Sequence, residues 1–130
     1  MIHLRLTLPA TLAALVLTGA AAFADTGITT GDTPVGKVLT NADGMTLYTL
    51  DKDSDGTPTC YDKCAANWPP LVAPSGASAE GDFGLTERKD GTMQWTYSGK
   101  PLYLWKNDVK PGDVTGDGVG GVWHAAQPKE

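Results

Sequence analysis

Gly44-Met-Thr-Leu47-Tyr48-Thr-Leu50-Asp-Lys-Asp53 and Gly99-Lys-Pro-Leu102-Tyr103-Leu-Trp105-Lys-Asn-Asp108 are two readings of one pattern, 55 residues apart. Holding that register places Asp62 on Asp117 and Trp68 on Trp123. Gly, Leu, Tyr, two Asp and Trp therefore recur together, which chance seldom achieves. A repeat of this kind means two supersecondary units that share one interior, because neither buries its apolar side alone.

Each unit reads as a β-hairpin. Val38-Leu39-Thr40 enters a turn at Asn41-Ala-Asp43-Gly44, and Thr46 to Leu50 leaves it. Met93 to Tyr97 enters a turn at Ser98-Gly99, and Leu102 to Trp105 leaves it. Asp-Gly and Ser-Gly supply the positive φ that tight turns need. A further strand from Phe83 to Arg88 reaches Trp95 through Asp90-Gly91. The Pro/Ala/Gly/Ser-rich span from Pro69 to Gly81 reads as the connection between units. Alternation sends Tyr48 and Leu50 to one face and Leu47 to the other, with Tyr103 and Trp105 opposite Leu102 and Leu104. Both faces are apolar, so these strands are expected to be buried on both sides. The expected fold is mainly β: two repeated hairpin units with pseudo-twofold symmetry and one short disulfide-linked helical turn from Tyr61 to Asn67. Tyr48, Tyr103, Trp68, Trp95, Trp105 and Trp123 are expected to pack in the core, with Trp68 and Trp123 at equivalent positions.

The chain ends differ from this pattern. An apolar stretch from Leu12 to Ala24 closes in Ala22-Phe23-Ala24, an A-x-A cleavage signal, so residues 1–24 read as a signal peptide. The stretch is too short for a comfortable membrane span. Cleavage leaves a single two-repeat domain over 25–130, with repeat one at about 36–72, a linker at about 73–81 and repeat two at about 82–127. Losing Arg5 makes the mature chain one unit more negative than the net −5 of the whole. That charge opposes nucleic acid and anionic lipid as partners. The expected location is periplasmic or secreted, with no stable membrane anchor after cleavage.

The motif segments also resemble a known family. Tyr48-Thr-Leu-Asp-Lys-Asp53 and Tyr103-Leu-Trp-Lys-Asn-Asp108 resemble the Tyr-x-(Phe/Trp/Tyr)-x-x-Asp signature of secreted-repeat proteins often described as predicted lipoproteins. Cys60-Tyr-Asp-Lys-Cys64-Ala-Ala-Asn-Trp68-Pro-Pro-Leu71 and Gly116-Asp-Gly-Val-Gly-Gly-Val-Trp123-His124 are similar to two further segments of that family. There are two departures. Leu50 stands where the first copy would carry an aromatic ring, and no lipid-attachment Cys is present near the cleavage site. The resemblance implies an extracytoplasmic repeat domain of unassigned biochemistry.

Three constellations could carry chemistry. Asp51, Asp53, Asp55 and Asp62 fit a D-x-D-x-D-G calcium loop, with a partial echo at Asp113 and Asp117. A strand precedes the loop where such loops usually have a helix, and the two loops lie outside the repeat register. Solvated turn carboxylates that cap backbone N–H groups are the competing reading. No cofactor is required, and calcium is the one option. Cys60 and Cys64 are the only cysteines. An oxidising compartment makes a disulfide their default state. Reduced, they could join His124 as a copper(I) or thiol-redox carrier. Otherwise His124 reads as a partly buried side chain with a backbone partner. Asp53 and Asp108 each follow a strand in both units, and can accept from turn N–H groups or a Tyr hydroxyl. Their recurrence points to a fold-defining role. Nucleophile and phosphate-cradle motifs are absent. The expected function is therefore a non-enzymatic module that binds an unidentified envelope or extracellular partner.

Overall fold

The structure, a computed structural model, describes residues 26–129. The signal-peptide assignment to residues 1–24 lies outside the described residues. Seven short strands form the frame. The first unit holds β1 (Thr29–Thr33), β2 (Gly36–Thr40) and β3 (Tyr48–Leu50); the second holds β4 (Phe83–Glu87), β5 (Met93–Tyr97) and β6 (Lys100–Pro101). β7 (Trp123–Ala125) closes the chain, and α1 (Lys63–Asn67) is the one short α-helix among the described residues. β1 pairs antiparallel with β2, β4 with β5, and β5 with β6. The Ser98-Gly99 turn has both residues at positive φ, +50° and +82°. That backbone twist matches the twist of the flanking strands. At the other hairpin, Asn41 Oδ1 accepts from the N–H groups of Asp43 and Met45 and fixes the turn ahead of the outgoing strand. β1 was not anticipated from sequence, because Thr-Thr-Gly-Asp-Thr carries little apolar alternation.

The two units meet through their tyrosines. Tyr48 N–H donates to the Tyr103 carbonyl at 2.8 Å, and Tyr103 N–H returns the bond to Tyr48 at 2.9 Å. This reciprocal pair lies on the pseudo-twofold axis. The outgoing strands are buried on both sides, as alternation predicts. Leu47 and Leu102 point into one core cluster with Ile28, Leu39, Phe83, Trp95 and Ala126. Tyr48 and Tyr103 point into a second with Leu50, Cys60, Trp68 and Trp123.

Each unit is completed by the tail of the other. Leu39 N–H donates to Ala126, Ala126 N–H to Leu47, and Leu47 N–H to Leu39. In the second half Trp95 N–H donates to Leu71, Leu71 N–H to Leu102, and Leu102 N–H to Trp95. Ala126 and Leu71 occupy the same place in these two rings and are related by the repeat register. Yet Leu71 belongs to the first unit's chain and sits in the second, while Ala126 does the reverse. The exchange continues outward. β3 pairs with β7, as Tyr48 with Ala125 and Leu50 with Trp123. Its counterpart pairs Tyr103 with Pro70, and Leu104 N–H donates to Pro69. Two prolines there remove backbone donors, so this side forms a bridge where its twin forms a strand. Ala73 N–H also donates to Met93. The first residues of the Pro-rich span are thus ladder and not connection.

This topology has a direct consequence. Fragments 26–80 and 81–129 each contain a tail that fits only the other. Each alone is expected to lack cooperative folding, and an equimolar mixture to reassemble into a one-to-one complex with the circular dichroism of the intact chain. Sedimentation of the mixture checks it; two independently folded monomers would contradict the exchange.

Candidate functional site

The motif residues converge at the axis. Tyr48 Oη donates to Asp108 Oδ2 at 2.6 Å, and Tyr103 Oη donates to Asp53 Oδ2 at 2.6 Å. Each tyrosine thus bonds the motif aspartate of the opposite unit. The second oxygen of each carboxylate holds its own loop. Asp53 Oδ1 accepts from the Thr59 N–H (2.9 Å) and hydroxyl (2.6 Å). Asp108 Oδ1 accepts from the Thr115 N–H (2.9 Å) and hydroxyl (2.7 Å). Burying a carboxylate is costly unless its acceptors are filled, and here three donors fill them. Burial, then the bond to its carboxylate, holds each phenol far above the usual tyrosine range. Both phenols therefore stay protonated, as donors, at any ordinary pH.

The rings of this site are in contact. Trp68 and Trp123 stack at 3.8 Å with their planes 3° apart. Tyr48 meets Trp68 edge-on at 5.3 Å, and Tyr103 meets Trp123 edge-on at 5.2 Å. The two edge-on contacts are arrangements that aromatic quadrupoles favour. Trp105 stacks on the other face of Trp68 at 4.0 Å. Its counterpart is Leu50, so the third indole has no twin. Gly116 makes room for this: a Cβ there would lie 2.8 Å from Trp68 and 3.0 Å from Trp105. The Gly116 N–H also donates to Tyr48 Oη at 3.1 Å.

The remaining candidate residues are dispersed. Cys60 and Cys64 are disulfide-bonded, with Cα atoms 5.2 Å apart, beside α1. Among the described residues no three His, Cys, Asp or Glu side chains gather as a metal site. Asp51 lies 3.0 Å from His124 Nε2. Asp55 accepts from the Thr57 N–H, and Asp62 starts α1 at φ +55°. Asp113 accepts from the N–H groups of Val109 and Lys110, which, with Lys110 itself, hold its carboxyl below the usual range. Asp117 accepts from Ala125 N–H. His124 departs from the expected partly buried position. Alternation along β7 turns Trp123 inward and His124 outward, where its partner is a carboxylate and not the backbone.

Sequence reasoning missed several residues. Thr59 and Thr115 follow their aspartates by six and seven positions. One extra residue in the second copy hides the pair from an ungapped comparison. Arg88 is buried, with Nη1 donating to Gln94 Oε1 (2.8 Å), Nη2 donating to the Cys60 carbonyl (2.7 Å), and its guanidinium over the Tyr61 ring. It ties the second hairpin to the disulfide turn of the first unit, and no sequence signal marks it.

A groove of about 590 Å³ opens beside β1. Thr29, Thr30, Thr33, Thr40 and Thr46 supply hydroxyls or methyls to its wall, and Asp32 and Asp43 also line it. Among the described residues, the Thr40 hydroxyl is the buried side-chain polar group without a hydrogen-bond partner.

Two outcomes follow from the axial site. Tyr103→Phe removes one charged hydrogen bond from buried Asp53 and is expected to cost about 1.5–3 kcal/mol in urea unfolding. Because folding raises both phenol pKa values, the unfolded chain loses these protons first. The stabilisation is complete below about pH 10 and falls as pH rises beyond it. The urea midpoint should drop above that pH, and less steeply in Tyr103→Phe. Separately, Gly116→Ala should destabilise by about 1–3 kcal/mol, since its methyl meets two packed indoles; a neutral result in the same assay would show that the stack yields.

The comparisons with known proteins agree with this geometry. No curated protein and no solved structure matches the chain. A family model does match, twice, over residues 29–72 and 84–127, each match covering one hairpin unit together with the tail that it lends to the other. Its description names no activity. The chain belongs to the family described as a secreted repeat of unknown function.

Proposed function

We propose that the chain is a non-enzymatic module of the periplasm or cell surface that binds a partner or ligand through the groove beside β1. The observation that carries this reading is the polar groove itself, whose walls are fixed and lined by five threonines and two aspartates. Among the described residues β1 pairs only with β2, so its outer edge keeps backbone donors and acceptors for an incoming group. The far wall is held in place. The Thr46 hydroxyl donates to the Asp113 carbonyl at 2.7 Å, and Gly44 lies close against Pro111. Threonines, with Asp32 and Asp43 beside them, suit a polar, neutral or cationic ligand.

The reading needs no bound calcium, because Asp53, Asp113 and Asp117 already accept from the chain's own donors. A copper or thiol-redox carrier on Cys60, Cys64 and His124 is disfavoured. Its two sulfurs are bonded to each other, and the His124 ring is spent on Asp51.

A photo-crosslinking residue placed at Thr30 in cells tests the groove. Envelope adducts are expected from that position and not from Lys106, which does not line it. Equal adducts at both, or none at Thr30, would reject the reading. The purified domain should keep one melting temperature in calcium and in chelator; a rise with calcium would restore the metal to the account.

A further inference from the structure

Five rings run without a break from the surface to the two buried phenols. Trp105 is partly exposed, while Trp68, Trp123, Tyr48 and Tyr103 are buried. Each contact along the series, Trp105 to Trp68, Trp68 to Trp123, and each tryptophan to its tyrosine, is 5.3 Å or less between ring centroids. Each series ends in a phenol whose proton already lies on a 2.6 Å bond to a carboxylate.

We propose that this series is a one-electron relay, in which a strong one-electron oxidant approaching Trp105, of the class of a ferryl haem or an oxygen-centred radical, draws an electron from Tyr48 or Tyr103 through the indole stack. The step balances as follows. The oxidant gains one electron and the protein loses one. The vacancy passes from Trp105 to Trp68, directly or through Trp123, and settles on a tyrosine. There the phenolic O–H bond breaks and a carboxylic O–H bond forms on Asp108, from Tyr48, or on Asp53, from Tyr103. The product is a neutral tyrosyl radical beside a neutral acid. An electron supplied at Trp105 by a separate one-electron donor, such as a thiolate or an enediol, sends the proton back.

Electrostatics favours this end state. Before the step the buried pair carries one negative charge on its carboxylate. Afterwards it carries none. A buried charge is costly in a medium of low dielectric constant, and passing the proton to the carboxylate means that loss of the electron adds none. A phenol without an internal acceptor would have to bury a cation or send its proton through the core. The faces of stacked indoles also stabilise a positive charge in transit.

Packing alone does not account for Trp105. Its twin position holds Leu50, which is buried against the same cluster. Leucine therefore suffices for packing at the twin position. Tryptophan at this one copy carries the stack from the core to solvent, and Gly116 leaves the space for it.

Flash photolysis tests the relay, with tris(bipyridine)ruthenium(II) as photosensitiser and hexaammineruthenium(III) as quencher. The protein carries Tyr61→Phe and Tyr97→Phe, so that only the two buried phenols can report. A tryptophanyl absorption is expected first, converting to a tyrosyl absorption, and the conversion should slow in D2O. Trp105→Leu, which copies the twin site, should keep the circular dichroism and slow tyrosyl formation about tenfold or more, equivalent to about 1.4 kcal/mol or more of barrier. Asp53→Asn with Asp108→Asn should leave the radical on tryptophan. If these two fail to fold, the D2O comparison on the otherwise intact chain decides the proton step. No tyrosyl signal, an unchanged rate in folded Trp105→Leu, or no solvent isotope effect would each overturn the proposal.

Discussion

The crossed bonding of two tyrosines to two aspartates constrains everything else in this domain. Tyr48 must reach Asp108 and Tyr103 must reach Asp53, so the two units can dock in one orientation only. The bond is short and charge-assisted, and it lies where water does not compete. Its geometry also sets what surrounds it. Each aspartate must sit at the end of a strand, with a threonine a few residues later to fill its remaining oxygen. Each tyrosine must meet a tryptophan edge to face.

The exchange of tails solves a problem of size. A unit of some forty residues rarely encloses a stable core. Here neither unit has to. The chain leaves its own hairpin, passes the other's tyrosine, and completes the other's three-strand ring with Leu71 or Ala126. Two small incomplete cores become two shared ones, one mainly aliphatic with Phe83 and Trp95 and one mainly aromatic, on either side of the same outgoing strands. The disulfide contributes by fixing the turn from which Trp68 enters the aromatic cluster, and Arg88 locks that turn from behind through the Cys60 carbonyl.

Some differences between the halves are buried, as with Arg88, Gln94 and the disulfide-bonded Cys60, and others fall at the surface or its approaches. Trp105 faces Leu50 across the axis, and Pro69-Pro70 faces His124-Ala125. The groove beside β1 lies in the first half, between the open edge strand and a loop that the second half supplies. Symmetry accounts for the tyrosine, aspartate and tryptophan centre, while the groove and Trp105 fall where the copies have diverged.

The hairpins, the two-sided burial of the outgoing strands and the equivalence of Trp68 with Trp123 were legible in the sequence, because each rests on a local period or on the repeat itself. The disulfide was legible because only two cysteines exist. Thr59 and Thr115 were not, since a single inserted residue breaks their register. β1 was not, since its threonines and glycine carry no apolar alternation. The sequence could also show that Tyr48 and Asp53 recur as Tyr103 and Asp108, but not that each tyrosine pairs with the aspartate of the other copy. Bonding within a copy and bonding across copies leave the same pattern of letters. Only the tertiary structure decides between them, because the choice depends on which unit the tail enters after it leaves its hairpin.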